Sequence, residues 1–146
     1  MVEPPAGRVG RNVLAYVPEG RAGAATLEAA RRLAETSGGW LTVAVSLEQP
    51  TWESMCRAMG GVTAHPAQLE ILAQLRLQDR LDALPSHERT HGLILRGSLV
   101  DALLGRAESA SHDVIVVPAS RRHGLLRSRL RGRSPVPVLV PNRRPR

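Results

Sequence analysis

Short apolar runs alternate with amphipathic helical segments along most of this chain, and this order restricts its fold more than any other feature. The apolar runs occupy residues 12–17, 41–47, 93–96, 113–117 and 136–140. Several are apolar along their whole length, which is typical of strands that are buried on both faces of a parallel sheet. The order therefore predicts an α/β fold, in which one five-stranded, mainly parallel sheet is covered by helices on both faces.

The segments between these runs carry helix signals. Residues 27–34 place apolar side chains at helical spacing, and a leucine stripe of about five turns follows Pro66 and ends before Pro85. Ser98 and Asp101 have the spacing of a capping box, in which both side chains accept from free N–H groups at a helix start. Because ligands bind beyond the carboxyl ends of parallel strands where the strand order reverses, this edge is the candidate site.

Length and composition indicate one domain in a reducing compartment. The chain has 146 residues and one cysteine, Cys56, which excludes an intramolecular disulfide and any multi-cysteine metal site. No apolar run approaches the length of a membrane span, and the first residues do not form a secretory signal. We expect a flexible N-terminus at 1–10, one α/β domain at 11–141, a basic tail at 142–146, and a cytoplasmic location.

The basic residues are all arginine and are unevenly distributed. All 20 Lys and Arg positions are Arg, so mechanisms that need a lysine, such as Walker A phosphate binding, are excluded. Residues 114–146 hold nine arginines and no acid, whereas residues 1–113 have a net charge of −2. The arginines at 127, 129, 131 and 133 alternate with other residues, which favours an extended arm. Residues 121–133 would suit an interaction module that docks an acidic partner or binds nucleic acid nonspecifically.

Two stretches resemble the universal stress protein family. Gly97-Ser-Leu-Val-Asp-Ala-Leu-Leu-Gly-Arg-Ala-Glu-Ser-Ala-Ser-His-Asp-Val-Ile-Val-Val117 is similar to the glycine, helix and Asp-Leu-Ile-Val-Val strand of that family. Pro135-Val-Pro-Val-Leu-Val140 is similar to its closing strand. The resemblance implies a Rossmann-like domain with a non-catalytic, regulatory role in the stress response, which binds ATP or AMP. It also implies a homodimer joined through the final strand, Val136 to Val140, which its prolines confine to a sheet edge.

The phosphate-binding segment of the family is altered in this chain. The family pattern Gly-x2-Gly-x9-Gly-Ser/Thr falls on Ala119, Arg122, Gly132 and Arg133, and the helix that should follow it is shortened. Arg121 and Arg122 are therefore predicted to replace backbone donors in holding phosphate. The resemblance and the position of the rim together imply a set of nucleotide-binding residues: Val17, Pro18, Glu19, Val43, Gly97, Ser120, Arg121, Arg122, Gly132 and Ser134.

Three residue patterns that are typical of enzymes are less specific than this resemblance. His87-Glu-Arg-Thr-His91 matches the zinc-peptidase pattern, but it follows Pro85 and runs into a strand, whereas two zinc-binding histidines at this spacing need a helix. Cys56 and His65 have no spacing that fixes a geometry. Ser120 and His123 lack the Gly-x-Ser-x-Gly elbow of hydrolases. The sequence therefore favours a binding domain over an enzyme.

Overall fold

The computed structural model describes residues 11–47, 66–85 and 89–141. The predictions for residues 1–10, the tail at 142–146, Cys56, His65 and His87 lie outside these described residues.

Five strands and four helices alternate along the described chain. The strands are Val13–Tyr16 (β1), Leu41–Ser46 (β2), Thr90–Leu95 (β3), Val114–Val116 (β4) and Val138–Leu139 (β5). The helices are Gly20–Ser37 (α1), Pro66–Asp82 (α2), Leu99–Ser109 (α3) and Gly124–Arg133 (α4), and a single 3₁₀ turn, Arg121–His123, precedes α4.

The strands form one parallel sheet in the order β3-β2-β1-β4-β5. The predicted five-stranded α/β fold is thus confirmed, and strand β5, which prolines flank on both sides, lies at the sheet edge as predicted. Ser98 caps α3 by accepting from the Asp101 N–H over 3.5 Å. Of the four helices in the described chain, α4 is the shortest, with 10 residues.

The alternating side chains of β1 divide the core into two layers. Val13, Ala15 and Val17 pack with α1 and α2 on one face of the sheet, and Leu14 and Tyr16 pack with α3 and α4 on the other. All five side chains are at most 5% exposed. The sheet is therefore covered by two helices on each face, which leaves its carboxyl edge as the place where loops and helix ends meet.

Two local predictions were wrong. Strand β3 begins at Thr90 rather than at residue 93, because the Leu41 N–H donates to the Arg89 carbonyl over 2.8 Å and extends the pairing with β2. His91 therefore lies on a strand and stacks on Trp40, with ring centroids 4.9 Å apart. The stretch predicted as an extended arm is helix α4, because helical spacing buries Leu130 completely in the second core layer.

A glycine in α1 lets that helix approach the loop after β1. A Cβ built on Gly23 would lie 1.7 Å from the Pro18 carbonyl oxygen, which belongs to the backbone and cannot move aside like a side chain. Gly23 is buried, so the α1 backbone packs directly against this loop. The position of the loop at the end of β1 thus depends on the absence of a side chain here.

We expect Gly23→Ala to lower the free energy of unfolding by about 1–3 kcal/mol, because overpacking forces the loop and the helix apart. Gly105→Ala is the matched control, since a Cβ there meets nothing within 4 Å in the middle of α3. It should raise stability by about 0.5–1 kcal/mol through helix propensity. Urea unfolding gives the free energy of unfolding of both variants. Equal changes in the two would contradict the close packing of α1 against the loop at Pro18.

Candidate functional site

The strand order reverses between β1 and β4, the two neighbours at the centre of the sheet. The chain goes from β1 outward to β2 and β3, and then returns to β4 on the other side of β1. The loops that follow β1 and β4 therefore leave the sheet side by side, in the place where α/β domains bind ligands. We call this carboxyl edge, with the loops at residues 17–20 and 117–123, the rim.

The loop after β1 is fixed by an arginine from α2. Arg80 donates through Nη2 to the carbonyl oxygens of Pro18, at 2.7 Å, and Gly20, at 3.2 Å. Gly20 has φ of +82°, a conformation that a side chain would disfavour. Val17 and Pro18 are buried, whereas Glu19 is exposed. The loop thus offers a small apolar floor and one carboxylate.

A second arginine of α2 joins the ends of β1 and β2. Arg76 donates through Nη2 to the Ser46 carbonyl oxygen at 2.8 Å, and its Nε lies 3.7 Å from Glu19 Oε1. Its side chain is largely buried, and this burial lowers the pKa of its guanidinium, although an arginine stays charged at neutral pH. The rim therefore holds a partly desolvated cation, and the exposed Glu19 carboxylate lies beside it.

These groups enclose a cleft of about 200 Å³ at the β1 end of the rim. Its lining comes from the first loop and from one face of α2: Val17, Pro18, Glu19, Gly20, Arg76, Asp79 and Arg80. A smaller, more apolar cavity of about 110 Å³ adjoins it, with Leu47, Leu69 and Leu72 in its wall. The combination of apolar wall and converging charged groups is typical of a small-molecule site.

An arginine of α4 fixes the loop after β4 in the same way. Arg127 Nη1 donates to the carbonyl oxygens of Pro118, at 2.8 Å, and Ser120, at 2.6 Å. Ser120 Oγ lies 2.6 Å from His123 Nδ1, and the His123 ring meets Tyr16 edge to face with centroids 5.9 Å apart. This loop thus brings a hydroxyl and an imidazole to the rim above the end of β1.

Burial and nearby cations set the protonation of these groups. Burial lowers the pKa of His123, and the Arg122 and Arg127 guanidiniums lower it further. Burial also raises the pKa of Tyr16, against smaller opposing effects of Arg76 and Arg122. Both shifts favour the neutral rings at pH 7, and the positive charge at this end of the rim comes from arginine.

The structure brings together most of the predicted nucleotide-binding residues. Val17, Pro18 and Glu19 lie at the end of β1, and Ser120, Arg121 and Arg122 lie beside them after β4. Gly97 shares the same edge of the sheet after β3, two strand spacings or about 10 Å from β1. Its φ of +74° and the open space around it are compatible with a close backbone approach.

Three predicted residues do not join this group. Val43 is 0% exposed in the middle of β2 and packs in the core under α1, so its side chain does not face a ligand. Gly132 lies near the C-terminal end of α4, and Ser134 follows that end, about 15 Å along the helix axis from its start. The Ser134 hydroxyl donates to the Val136 carbonyl oxygen at 2.7 Å.

Sequence reasoning missed the arginines that hold the rim. Arg76 and Arg80 are four residues apart in the leucine stripe of α2, a spacing that places both on one helical face. Arginines inside an apolar stripe are a signal that these two cations face the sheet. Ser120 and His123 are three residues apart in the sequence, a spacing that indicates no contact by itself. Their side chains meet because residues 121–123 form a helical turn.

The described residues contain neither a cluster of metal-binding side chains nor a membrane-spanning helix. No group of three or more His, Cys, Asp or Glu side chains within them is placed to hold a metal ion. No helix in this part of the chain is long and apolar enough to cross a membrane.

Comparisons with solved structures show which known proteins share this fold. A universal stress protein family member from Burkholderia pseudomallei is 15% identical, with a TM-score of 0.67, and the match covers 94% of this chain and 100% of that one. A universal stress protein from Archaeoglobus fulgidus in complex with dAMP is 19% identical over 92% of this chain and 99% of its own, with a TM-score of 0.61. A universal stress protein in complex with cAMP is 20% identical over 90% and 96%, also at 0.61.

The fold is therefore that of universal stress proteins over nearly the whole chain, as the resemblance predicted. No family model matches this sequence, and no curated protein sequence is significantly similar to it.

We expect Arg127→Met to destabilise the chain by about 1.5–3 kcal/mol, because it leaves the part-buried carbonyl groups of Pro118 and Ser120 without their charged donor. Arg129→Met removes the same charge from an exposed position on the same helix and should change stability by less than about 0.5 kcal/mol. Hydrogen exchange at residues 118–123 should accelerate only in the first variant. Unchanged exchange at these residues in Arg127→Met would show that Arg127 does not hold the loop after β4 in place.

Proposed function

We propose that this chain is a regulatory domain of the universal stress protein type that senses an adenine nucleotide, ATP or AMP, at the rim. The observation that carries the proposal is the shared fold of this chain and of two universal stress proteins solved with cAMP and with dAMP. The cleft at the switch point of this chain supplies a place for such a ligand. We place this domain in the cytoplasm.

Charge at the rim favours an anionic ligand. Arg121 and Arg122 are exposed at the start of the helical segment after β4, and the positive end of the α4 dipole points in the same direction. Residues 114–141, all in the described chain, contain no acid that could compete for these cations. Phosphate oxygens held here would receive charge-assisted hydrogen bonds in place of those that a glycine-rich loop donates.

The β1 side of the rim suits the nucleoside. Val17 and Pro18 give an apolar floor, and the Glu19 carboxylate is placed to accept from ribose hydroxyls or a base amino group. Arg76 and Arg80 are already hydrogen-bonded to strand-end carbonyls, so they shape this side of the cleft. The proposed orientation thus places the nucleoside near β1 and the phosphates near Arg121 and Arg122.

We expect Arg121→Ala/Arg122→Ala to weaken binding of AMP and ATP about tenfold or more, in line with the loss of about 1.5–3 kcal/mol per charged hydrogen bond. Arg129→Ala/Arg131→Ala removes equal charge from exposed positions further along α4 and should leave the affinity within about twofold at physiological salt. Calorimetric titration and the thermal shift in millimolar nucleotide measure both.

The same titrations separate this proposal from the rival interaction module. A module that docks acidic proteins or nucleic acid would bind heparin and duplex DNA of any sequence, lose them steeply with added salt, and respond equally to both double variants. No stabilisation of the parent chain by millimolar AMP or ATP would contradict nucleotide binding.

We also propose that the chain forms a homodimer through β5. Among the described residues β5 pairs with β4 alone, and this leaves its outer backbone groups at the sheet edge for a second copy. Leu139 is 40% exposed there, next to the half-buried Val138 and Val140. An apolar edge strand of this kind is a surface for pairing with a second copy.

We expect Leu139→Asp to convert a dimer into a monomer, since it places a charge in the paired edge. Leu125→Asp introduces the same charge at a leucine that is 65% exposed on α4 and should leave the dimer intact. Light scattering of both variants over a range of concentrations gives their mass. A parent chain that stays monomeric, or a dimer indifferent to Leu139→Asp, would contradict the interface.

A further inference from the structure

Ser120 and His123 form a hydroxyl–imidazole pair at the rim that ligand binding does not require. The distance from Ser120 Oγ to His123 Nδ1 is 2.6 Å, and both residues are partly exposed. The 3₁₀ turn Arg121–His123 fixes this contact, because it brings the side chains at i and i+3 to the same side. A pair of this kind is the minimal arrangement of a serine nucleophile with its base.

Three contacts hold the pair in place. Arg127 binds the Ser120 carbonyl oxygen at 2.6 Å, and the His123 N–H donates to the same carbonyl oxygen at 3.1 Å. The His123 ring packs edge to face on Tyr16, which is 5% exposed at the end of β1. Backbone and ring are therefore positioned from both sides, as a preorganised catalytic group requires.

The imidazole is in the form that a general base needs. Burial and the neighbouring Arg122 and Arg127 guanidiniums lower the pKa of His123 below its usual value of 6.5. The neutral ring is therefore the main form at pH 7, and in the tautomer that carries its proton on Nε2, the Nδ1 lone pair can accept the Ser120 O–H. The lowered pKa has a cost, since a weaker base removes the proton less readily, but it favours the neutral ring that acts as a base.

A backbone N–H group and the start of helix α4 follow Ser120 in the chain. The Arg121 N–H directly follows the serine at the first position of the helical turn, where no preceding turn provides an acceptor. The N-terminus of the ten-residue helix α4 begins four residues after Ser120. Backbone N–H groups that follow a nucleophile at a helix start form the oxyanion sites of several hydrolases.

We propose that Ser120 is a nucleophile with His123 as its general base, and that it hydrolyses small carboxylic esters that carry a negative charge. Ser120 Oγ attacks the carbonyl carbon and gives its proton to His123 Nδ1. The alcohol then leaves with that proton as the ester C–O bond breaks. Water attacks the acyl-serine, His123 takes the proton of the water and returns it to Ser120, and the carboxylic acid is released.

Charge selects the substrate class. Arg121 and Arg122 lie between the nucleophile and its base in the sequence and are both exposed, so an ester with a carboxylate or phosphate group is favoured over a neutral one. The proposal does not depend on nucleotide binding, because the hydrolytic pair needs only the loop after β4.

The test uses the full chain with two probes, 4-nitrophenyl acetate and the anionic 4-nitrophenyl hemisuccinate. We expect release of 4-nitrophenolate, faster with the anionic ester, and the mass of one acyl group on the peptide that contains Ser120. Ser120→Ala should abolish this acylation, and His123→Gln should slow it by about 100-fold or more. Ser128→Ala, an exposed serine on α4, is the control and should leave the rate unchanged.

The pH dependence distinguishes a general base from a structural role. The acylation rate should rise with pH and reach its plateau with a midpoint below 6.5, since the lowered pKa of His123 governs it. Acyl groups found equally on Ser128 and Ser120, or a wild-type rate equal to that of Ser120→Ala, would overturn the proposal. Peptide mapping of the wild-type chain after reaction with the ester shows which serine carries the acyl group, even if a variant fails to fold.

Discussion

The structure depends on the burial of β1. Its four residues, Val13–Tyr16, are at most 5% exposed, and the strand pairs with β2 on one side and β4 on the other. Their alternating side chains supply the centre of both core layers. The pairing of β1 with β2 extends as far as Val17, whose N–H donates to the Ala44 carbonyl oxygen at 2.8 Å. The rim begins where that hydrogen bonding stops.

Two arginines, one from each helical layer, then fix the two loops of the rim. Arg80 binds two carbonyl oxygens of the loop after β1, and Arg127 binds two of the loop after β4. In each case a single terminal nitrogen of the guanidinium, Nη2 of Arg80 or Nη1 of Arg127, donates to both oxygens. In a chain without lysine, arginine thus serves both to anchor backbone and to attract anions.

Much of the fold could be predicted from the sequence because it follows from apolar periodicity. All five strands were predicted, since buried parallel strands are apolar throughout. The start of β3 was not, because Thr90, His91 and Gly92 are not an apolar run and become a strand through pairing with β2. The helical form of α4 was hidden by arginines at alternate positions, which obscured the i, i+4 pair Leu126 and Leu130. The rim was located from topology alone, but its anchoring arginines and the Ser120–His123 contact depend on three-dimensional neighbours.

The central position of β1 also has a kinetic meaning. Its partner in β4 is about a hundred residues away along the chain, since Val13 pairs with Val114. Contacts of such high sequence separation close large loops and form late in folding. A chain emerging from the ribosome can assemble β1 with β2 early, but it cannot bring the two halves of the rim together until β4 has been synthesised. Ligand binding or a reaction at the rim would therefore take place only in a chain that has finished folding.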